Sequence, residues 1–326
     1  MSQTDNSNAL TYVLGGALVL IGLFVVILLV SVNSQADSVS TSTTVTNVAP
    51  TVDTLVLKDN GTTVALNGTA TLNAGTTETM TLTGTVSDDN GVSTSLAAGD
   101  LAKIKASLYV NGTSCTASAS GDKNNCYYQD DVTANCVLGA VTDSTTIAYT
   151  CTFTPDFFAD STSIGGTSPA GKWTSWVYVE DDAGLSTSST QDFEMGTLLA
   201  LSIPSTISYG TLTREQSTTN SNNIEMTITQ YGNDQADVEL SSATAMSCSV
   251  IGTIPVANQK WSLTDLSAGA TGVTALSGTA ADTNIAVGYQ TVDATPVTKI
   301  LYWNIVMPAV VTGSCTGTNV VSAIAA

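Results

Sequence analysis

Apolar and polar residues alternate over most of the chain after residue 48, in short runs separated by turn-forming residues. A period of two residues is typical of half-buried β-strands. In the first half, the runs fall at residues 51–57, 77–86, 102–110, 146–154, 172–179 and 187–194. In the second half, they fall at residues 198–202, 206–212, 223–231, 236–240, 248–254, 285–289, 297–307 and 316–325. The abundant Thr, Val, Ser and Gly are poor helix formers, so the pattern predicts an all-β protein.

Short strands with turns between them indicate antiparallel β-sandwiches, and the length of this region suits two domains of ordinary size. We predict two tandem antiparallel Ig-like β-sandwich domains, at residues 49–195 and 196–326.

One uncharged stretch breaks the alternation. Residues 12–32 read YVLGGALVLIGLFVVILLVSV, long enough as a helix to cross a bilayer. We predict a transmembrane anchor here, preceded by a short tail (1–11) and followed by a Ser/Thr-rich stalk (33–48). The alternative is a cleaved signal peptide, because Ser34-Gln35-Ala36 suits a signal peptidase, although the apolar run exceeds the usual signal core. We expect a cell-envelope protein, either single-pass with an extracellular C-terminal part or secreted.

The charge balance excludes some partners. Acids outnumber bases 27 to 8, giving a net charge of −19, so neither nucleic acid nor anionic lipid is an expected partner. The chain has no histidine, and therefore lacks the commonest general base and the usual zinc ligand. No pattern predicts a catalytic residue, so we expect a protein that is not an enzyme.

Six cysteines without a CxxC motif indicate three disulfides and an oxidising compartment; they are Cys115, Cys126, Cys136, Cys151, Cys248 and Cys315. The last two are alone in the second predicted domain, so pairing within domains joins them. In the first domain, we favour the bridges Cys115–Cys126 and Cys136–Cys151, which join cysteines that follow one another along the chain. The nested arrangement, which would staple two strands together, stays open.

Two turns of the first domain are acidic. In an Ig-like sandwich they would lie at the same end of the domain, where converging oxygens suit Ca²⁺. Asp, Asn and Gly are also ordinary turn residues, so a plain turn is the alternative. The candidate ligands of this possible calcium site are Asp88, Asp89, Asn90, Glu180, Asp181 and Asp182.

Aromatic residues cluster on one predicted strand, where Trp176 and Tyr178 share a face and Trp173 points the other way. We expect Trp176 in the core, as in many sandwiches, and Trp173 to be the more open of the two. Trp261 and Trp303 are also predicted to be core residues.

Several motifs recur together in one type of protein: NNCYY (124–128), CTFTPDFFAD (151–160), WVYVEDD (176–182), YWNIVMP (302–308) and GSCTGTN (313–319). On these motifs the chain resembles the secreted, single-anchor, Ig-like surface proteins of candidate-phyla-radiation (Patescibacteria) genomes. The resemblance implies an extracytoplasmic β-sandwich protein of a surface layer.

We therefore predict a cell-surface structural protein, a surface-layer or filament-type subunit that packs against copies of itself. The alternative is an adhesin or binding module for surface glycans or host proteins.

Overall fold

The computed structural model describes residues 40–96, 98–113, 115, 122–132, 135–162, 171–218, 223–265, 273–291 and 295–326. The predicted tail and anchor, residues 1–32, lie outside the described residues. In the described ranges, no helix is long and apolar enough to cross a membrane. Residues Asn47–Ala326 form one compact unit.

The prediction of an all-β protein is confirmed, and the described helical structure includes one short 3-10 turn, Val256–Asn258. The strands between residues 51 and 195, here called the first module, are β1 (Thr51–Asp59), β2 (Thr62–Val64), β3 (Thr69–Ala70), β4 (Met80–Ser87), β5 (Leu101–Val110), β6 (Cys126–Asp130), β7 (Cys136–Val141), β8 (Thr146–Phe153), β9 (Trp173–Asp181) and β10 (Ser186–Met195). The strands between residues 201 and 325, here called the second module, are β11 (Leu201–Ser202), β12 (Ile224–Gln230), β13 (Ala236–Ser241), β14 (Met246–Cys248), β15 (Thr253–Ile254), β16 (Gln259–Ser262), β17 (Thr274–Ala275), β18 (Ala281–Asp282), β19 (Thr298–Ile305), β20 (Cys315–Thr316) and β21 (Val320–Ala325).

The first module has two five-stranded sheets, in the orders β2-β1-β4-β8-β7 and β3-β10-β9-β5-β6. Both sheets contribute to one hydrophobic core, and strands such as β8 and β9 alternate buried and more exposed positions along most of their length. Leu82 and Phe153 from the first sheet are fully buried there, as are Val177 and Phe193 from the second. Burial of each such side chain contributes about 1.5–3 kcal/mol, so this core supplies the main drive for folding.

One glycine allows a close approach within the first sheet. A Cβ atom on Gly84 would lie 1.9 Å from the carbonyl oxygen of Thr54 and 2.7 Å from the hydroxyl of Tyr149. The Tyr149 hydroxyl donates a hydrogen bond of 3.0 Å to that carbonyl. The pairing of β1 with β4 shifts register just before Thr54, so Gly84 makes room for both the bulge and the tyrosine.

The second module has one five-stranded sheet, β11-β12-β19-β16-β17, and two three-stranded sheets, β18-β13-β21 and β15-β14-β20. Its main core contains Trp303 and Trp261, 0% and 7% exposed, which confirms the prediction for both. A smaller core forms around Ile254 and Ile305.

The prediction of a strand at residues 206–212 is wrong. No strand of the described residues pairs with this segment, although Ile207 and Tyr209 still pack against the main core of the second module. Alternation reports burial of one face, whereas a strand also needs a neighbouring backbone. Gly210, with φ of +71°, interrupts the extended conformation.

Three disulfides are present, with the pairing favoured from the sequence: Cys115–Cys126, Cys136–Cys151 and Cys248–Cys315. The second bridge joins residues paired directly across β7 and β8, and the third does the same across β14 and β20. The nested alternative is not the observed one. Three bridges are typical of an extracellular or secreted protein.

The two modules meet where the first module ends. Asn233, which is fully buried, donates hydrogen bonds of 2.9 and 3.0 Å to the carbonyl oxygens of Ala159 and Gly196. Asn124 donates to the carbonyl of Gln290 at 3.1 Å. No described sheet mixes strands of the two modules. The domain boundary between residues 195 and 196 stays a prediction.

Candidate metal centre

The acidic turns lie at the end of the first module that is opposite the second module. Strand β4 ends at Ser87 and leads into Asp88, while Asp100 immediately precedes β5. Strand β9 ends at Asp181, which pairs with Leu101 at the start of β5. The strand ends therefore bring together two carboxylates from the two ends of the β4–β5 loop and one from the end of β9. We call this end the cluster pole.

Three carboxylates converge there. One oxygen each of Asp88, Asp100 and Asp181 lies within 4.8 Å of the others. The side chains of Asp88 and Asp181 are only 1% exposed, and Asp100 is half-buried. We call these three residues the carboxylate cluster.

Hydrogen bonds satisfy part of the carboxylate cluster. Asp88 Oδ1 accepts from the backbone N–H of Asn90 at 2.8 Å. Asp181 accepts from the backbone N–H of Leu185 and from Asn47 Nδ2, both at 2.8 Å. The buried Oδ2 atoms of Asp88 and Asp100 have no hydrogen-bond partner among the described residues. A buried acceptor without a partner is costly, so this arrangement needs a compensating group.

The electrostatics of the carboxylate cluster are repulsive. Burial raises the pKa of Asp88, and the neighbouring carboxylates of Asp100, Asp181 and Asp89 raise it further against the hydrogen bond from Asn90. Burial also raises the pKa of Asp100, with Asp181 and Asp182 adding to the effect. The charged groups that raise these two pKa values are all carboxylates, so they disfavour a second and third negative charge.

Two of the six predicted ligands, Asp88 and Asp181, belong to the carboxylate cluster; the other four lie outside it. Glu180 points to the opposite face of β9, where it pairs with Lys103. Asn90 accepts a hydrogen bond of 3.0 Å from the backbone N–H of Val48 through its side chain. Asp89 and Asp182 are exposed.

Sequence reasoning missed Asp100. A signal was present, because antiparallel pairing places the residue before one strand beside the end of its neighbour. Asp182 donates its backbone N–H to the carbonyl of Asp100 at 2.8 Å, which holds the two loops together.

A pair of aromatic rings lies on the outer face of the second sheet. Trp176 and Tyr178 are half-buried and stack with their centroids 5.7 Å apart, and Lys105 lies over the Tyr178 ring. The predictions for the two tryptophans are wrong, because Trp173 is fully buried and Trp176 is the more open. The odd-numbered residues of β9, including Val177 and Val179, face the core, and Trp173 therefore faces the core as well. Its Nε1 donates a hydrogen bond to the carbonyl of Asp160.

The chemistry open to the carboxylate cluster is that of oxygen ligands. The sequence has no histidine, and the three disulfides use all six cysteines. Carboxylate oxygens are the preferred ligands of hard divalent cations.

No family model matches the chain, and no curated protein matches it. Among solved structures, it is similar to the CsuC–CsuE chaperone–tip adhesion subunit pre-assembly complex from archaic chaperone-usher Csu pili of Acinetobacter baumannii. The identity is 12% over 78% of this chain and 96% of that chain, with a TM-score of 0.34. It is also similar to the C-terminal domain of the Streptococcus agalactiae AgI/II polypeptide BspA, at 11% identity over 83% and 98% of the two chains and a TM-score of 0.21. At these TM-scores, neither likeness carries an argument about function.

Proposed function

We propose that the protein is a non-enzymatic cell-surface structural protein, a surface-layer or filament-type subunit that associates with copies of itself. In this proposal, residues 12–32 anchor it in the membrane, and two tandem Ig-like β-sandwiches stand outside. The resemblance to Patescibacteria surface proteins belongs to the same proposal.

The strand order of the first module supports an Ig-like sandwich. In an Ig constant-type domain, strands A, B, E and D form one sheet and strands C, F and G form the other. Here β1, β4, β8 and β7 are neighbours in one sheet, and β5, β9 and β10 are neighbours in the other. When these seven strands are lettered A to G in chain order, both sheets have the strand order of an Ig constant-type domain.

The disulfides and the charge support a position outside the cytoplasm. Structural disulfides persist in oxidising compartments, and a net charge of −19 keeps a surface protein soluble.

The observation that carries self-association is the open edge of β21. This strand pairs with β13 on one side, and the described residues provide no backbone partner on the other. Natural proteins protect sheet edges by short strands, charges, prolines or bulges. The sequence of β21, VVSAIA, has no charge and no proline, and its pairing with β13 shows no register shift.

Other edges in the described residues are better protected. Strands β2, β3, β11, β15, β17, β18 and β20 are two or three residues long, the pairing of β7 shifts register, and β6 carries the charged Asp130. A groove of about 420 Å³ opens beside β21, between Val321 and the segment from Ile203 to Ile207. Val320, Ser322 and Ala325 of β21 are themselves exposed, so the edge is accessible.

The occupant we assign to the β21 edge is the β21 edge of a second copy. An uncharged strand can pair antiparallel with itself about a two-fold axis without placing like charges opposite each other. Such pairing yields a dimer, from which a larger array needs one further contact.

The test compares two valine-to-lysine variants of the full chain in detergent by light scattering over a concentration series. Val320, at the start of β21, is 47% exposed, and Val310, outside any strand, is 67% exposed. We expect the wild type and Val310→Lys to dimerise and Val320→Lys to stay monomeric, because an edge lysine blocks strand pairing. A monomeric wild type, or an unchanged dimer in Val320→Lys, refutes self-association through β21.

The alternative function, an adhesin or glycan-binding module, is favoured by one observation. The stacked pair Trp176 and Tyr178 presents a half-exposed aromatic surface on the outer face of β9. Aromatic faces of this kind can stack on the apolar face of a sugar ring.

A further inference from the structure

The buried oxygens of the carboxylate cluster are the starting point. Asp88 and Asp100 lie at the two ends of the loop that joins β4 to β5, and Asp181 lies at the end of β9. Asp88 is 1% exposed, yet in the part of the chain that the structure describes its Oδ2 has no hydrogen-bond partner, and the Oδ2 of Asp100 has none either. A protein that buries such groups compensates them with a proton, a cation or a metal ion.

A basic side chain is not the compensating group in the described structure. The charged groups that act on Asp88 and Asp100 are Asp89, Asp181 and Asp182 and the two residues themselves. The nearby lysine, Lys103, bonds Glu180 on the opposite face of β9.

We propose that Asp88, Asp100 and Asp181 bind one Ca²⁺ ion at the cluster pole. Calcium binds oxygen ligands at about 2.3–2.6 Å, so oxygens within 4.8 Å of one another can share one ion. The three carboxylates offer up to six oxygens, and water can complete the usual six to eight. Zinc is disfavoured because neither histidine nor a free cysteine is present.

The ion would act on the residues that lead into the first strand. Asp181 Oδ2 accepts a hydrogen bond from Asn47 Nδ2 at 2.8 Å. Asn90, two residues after Asp88, accepts one from the backbone N–H of Val48 at 3.0 Å. Neutralising the carboxylates fixes the loops that hold residues 47 and 48. Calcium therefore stabilises the start of the first module, whether or not the protein associates with itself.

The direct test is titration of the full chain, freed of metal by a chelator, with CaCl₂ in a calorimeter. Asp88→Asn removes a cluster carboxylate and keeps the shape of the side chain. Asp89→Asn is the matched control, because Asp89 is the neighbouring exposed carboxylate outside the carboxylate cluster. We expect one Ca²⁺ per chain for the wild type and for Asp89→Asn, and at least about a tenfold loss of affinity for Asp88→Asn.

A second measurement separates loss of binding from loss of folding. In chelator, Asp88→Asn relieves repulsion between carboxylates, so its melting temperature should equal or exceed that of the wild type. In calcium the order should reverse, because an ion that binds only the native state stabilises it.

Absence of Ca²⁺ binding by a folded wild type overturns the proposal. Equal affinities for the wild type and Asp88→Asn, or the same order of melting temperatures with and without calcium, also overturn it. These outcomes do not depend on self-association, which is measured separately through Val320.

Discussion

A single carboxylate between the modules makes the stability of the protein depend on pH in an unusual direction. Burial raises the pKa of Asp160 from 3.8 to about 6, and the Asp122 carboxylate adds to the rise, against a hydrogen bond from Asn124. The second module contributes to the same environment. Burial raises the pKa of Tyr289, with the carboxylates of Asp160 and Asp234 adding to it.

The direction in which the free energy of unfolding changes with pH follows from the raised pKa of Asp160. Between about pH 4 and pH 6 the folded protein holds a proton on Asp160 that the unfolded chain has lost. The free energy of unfolding therefore falls as pH rises through this window. A change from 3.8 to about 6 corresponds to about 3 kcal/mol, and solvent screening of this partly exposed group reduces that to about 2 kcal/mol.

The perturbation is Asp160→Asn, which removes the charge and keeps the shape. We expect the free energy of unfolding to rise by about 2 kcal/mol at pH 7 and by only a few tenths at pH 4. Urea unfolding at both pH values measures it, with tryptophan fluorescence as the signal. Trp173 is a local reporter, because its Nε1 donates a hydrogen bond of 2.8 Å to the carbonyl of Asp160.

The control is Asp89→Asn, an exposed carboxylate at the other end of the first module, which should change the stability little at either pH. A stability gain in Asp160→Asn that is the same at pH 4 and pH 7 would refute the reasoning. So would a variant less stable than the wild type at pH 7.

Two further predictions concern the disulfides and the outer aromatic face. Replacing Cys248 and Cys315 by alanine opens a bridge across 67 residues and should cost about 4 kcal/mol in urea unfolding, against about 3 kcal/mol for the 11-residue bridge Cys115–Cys126; equal losses would contradict the loop-entropy account. If the alternative function holds, Trp176→Ala should weaken binding of a soluble polysaccharide in a fluorescence titration, and unchanged binding would remove the aromatic face from consideration.

Strands of the first module were predictable where a run of alternating apolar and polar residues also pairs with a neighbouring strand. The run predicted at residues 102–110 lies in β5, which pairs with β9 along nearly its whole length. The orientation of β9 was not predictable from its aromatics alone, because Trp173 and Trp176 have opposite parity and both are apolar. The two valines at 177 and 179, fully buried, decide which face is inside.

The second module was less predictable because its sheets are short. Residues 248–254 look like one strand but form parts of two, β14 and β15, with Gly252 at a φ of +83° between them. The segment at 206–212 alternates without pairing. In both places the alternation of the sequence indicates which side chains are buried, but it does not indicate which backbone pairs with the segment.

Two of the three residues of the carboxylate cluster were predicted from the sequence, and the third was not. Asp88 and Asp181 were found because acidic turns stand out in the sequence. Asp100 follows Gly99 and precedes a strand, and only the register of β5 against β9 places it beside Asp181. Glu180 was included by proximity in sequence, and the two-residue period of β9 turns it to the opposite face.

The direction of the strands also has a mechanical consequence. Strand β1 begins at the cluster pole, where Thr51 pairs with Ser87, and β10 ends at Met195, beside the second module. Tension applied between these two points pulls each strand along its own axis. The hydrogen bonds of a ladder loaded in this way resist together and do not open one at a time.

Even after the strand ladders break, the three disulfides, whose cysteines are 11, 15 and 67 residues apart in sequence, keep the loops that they close from extending. Under load, covalent bonds therefore limit the reach of the molecule.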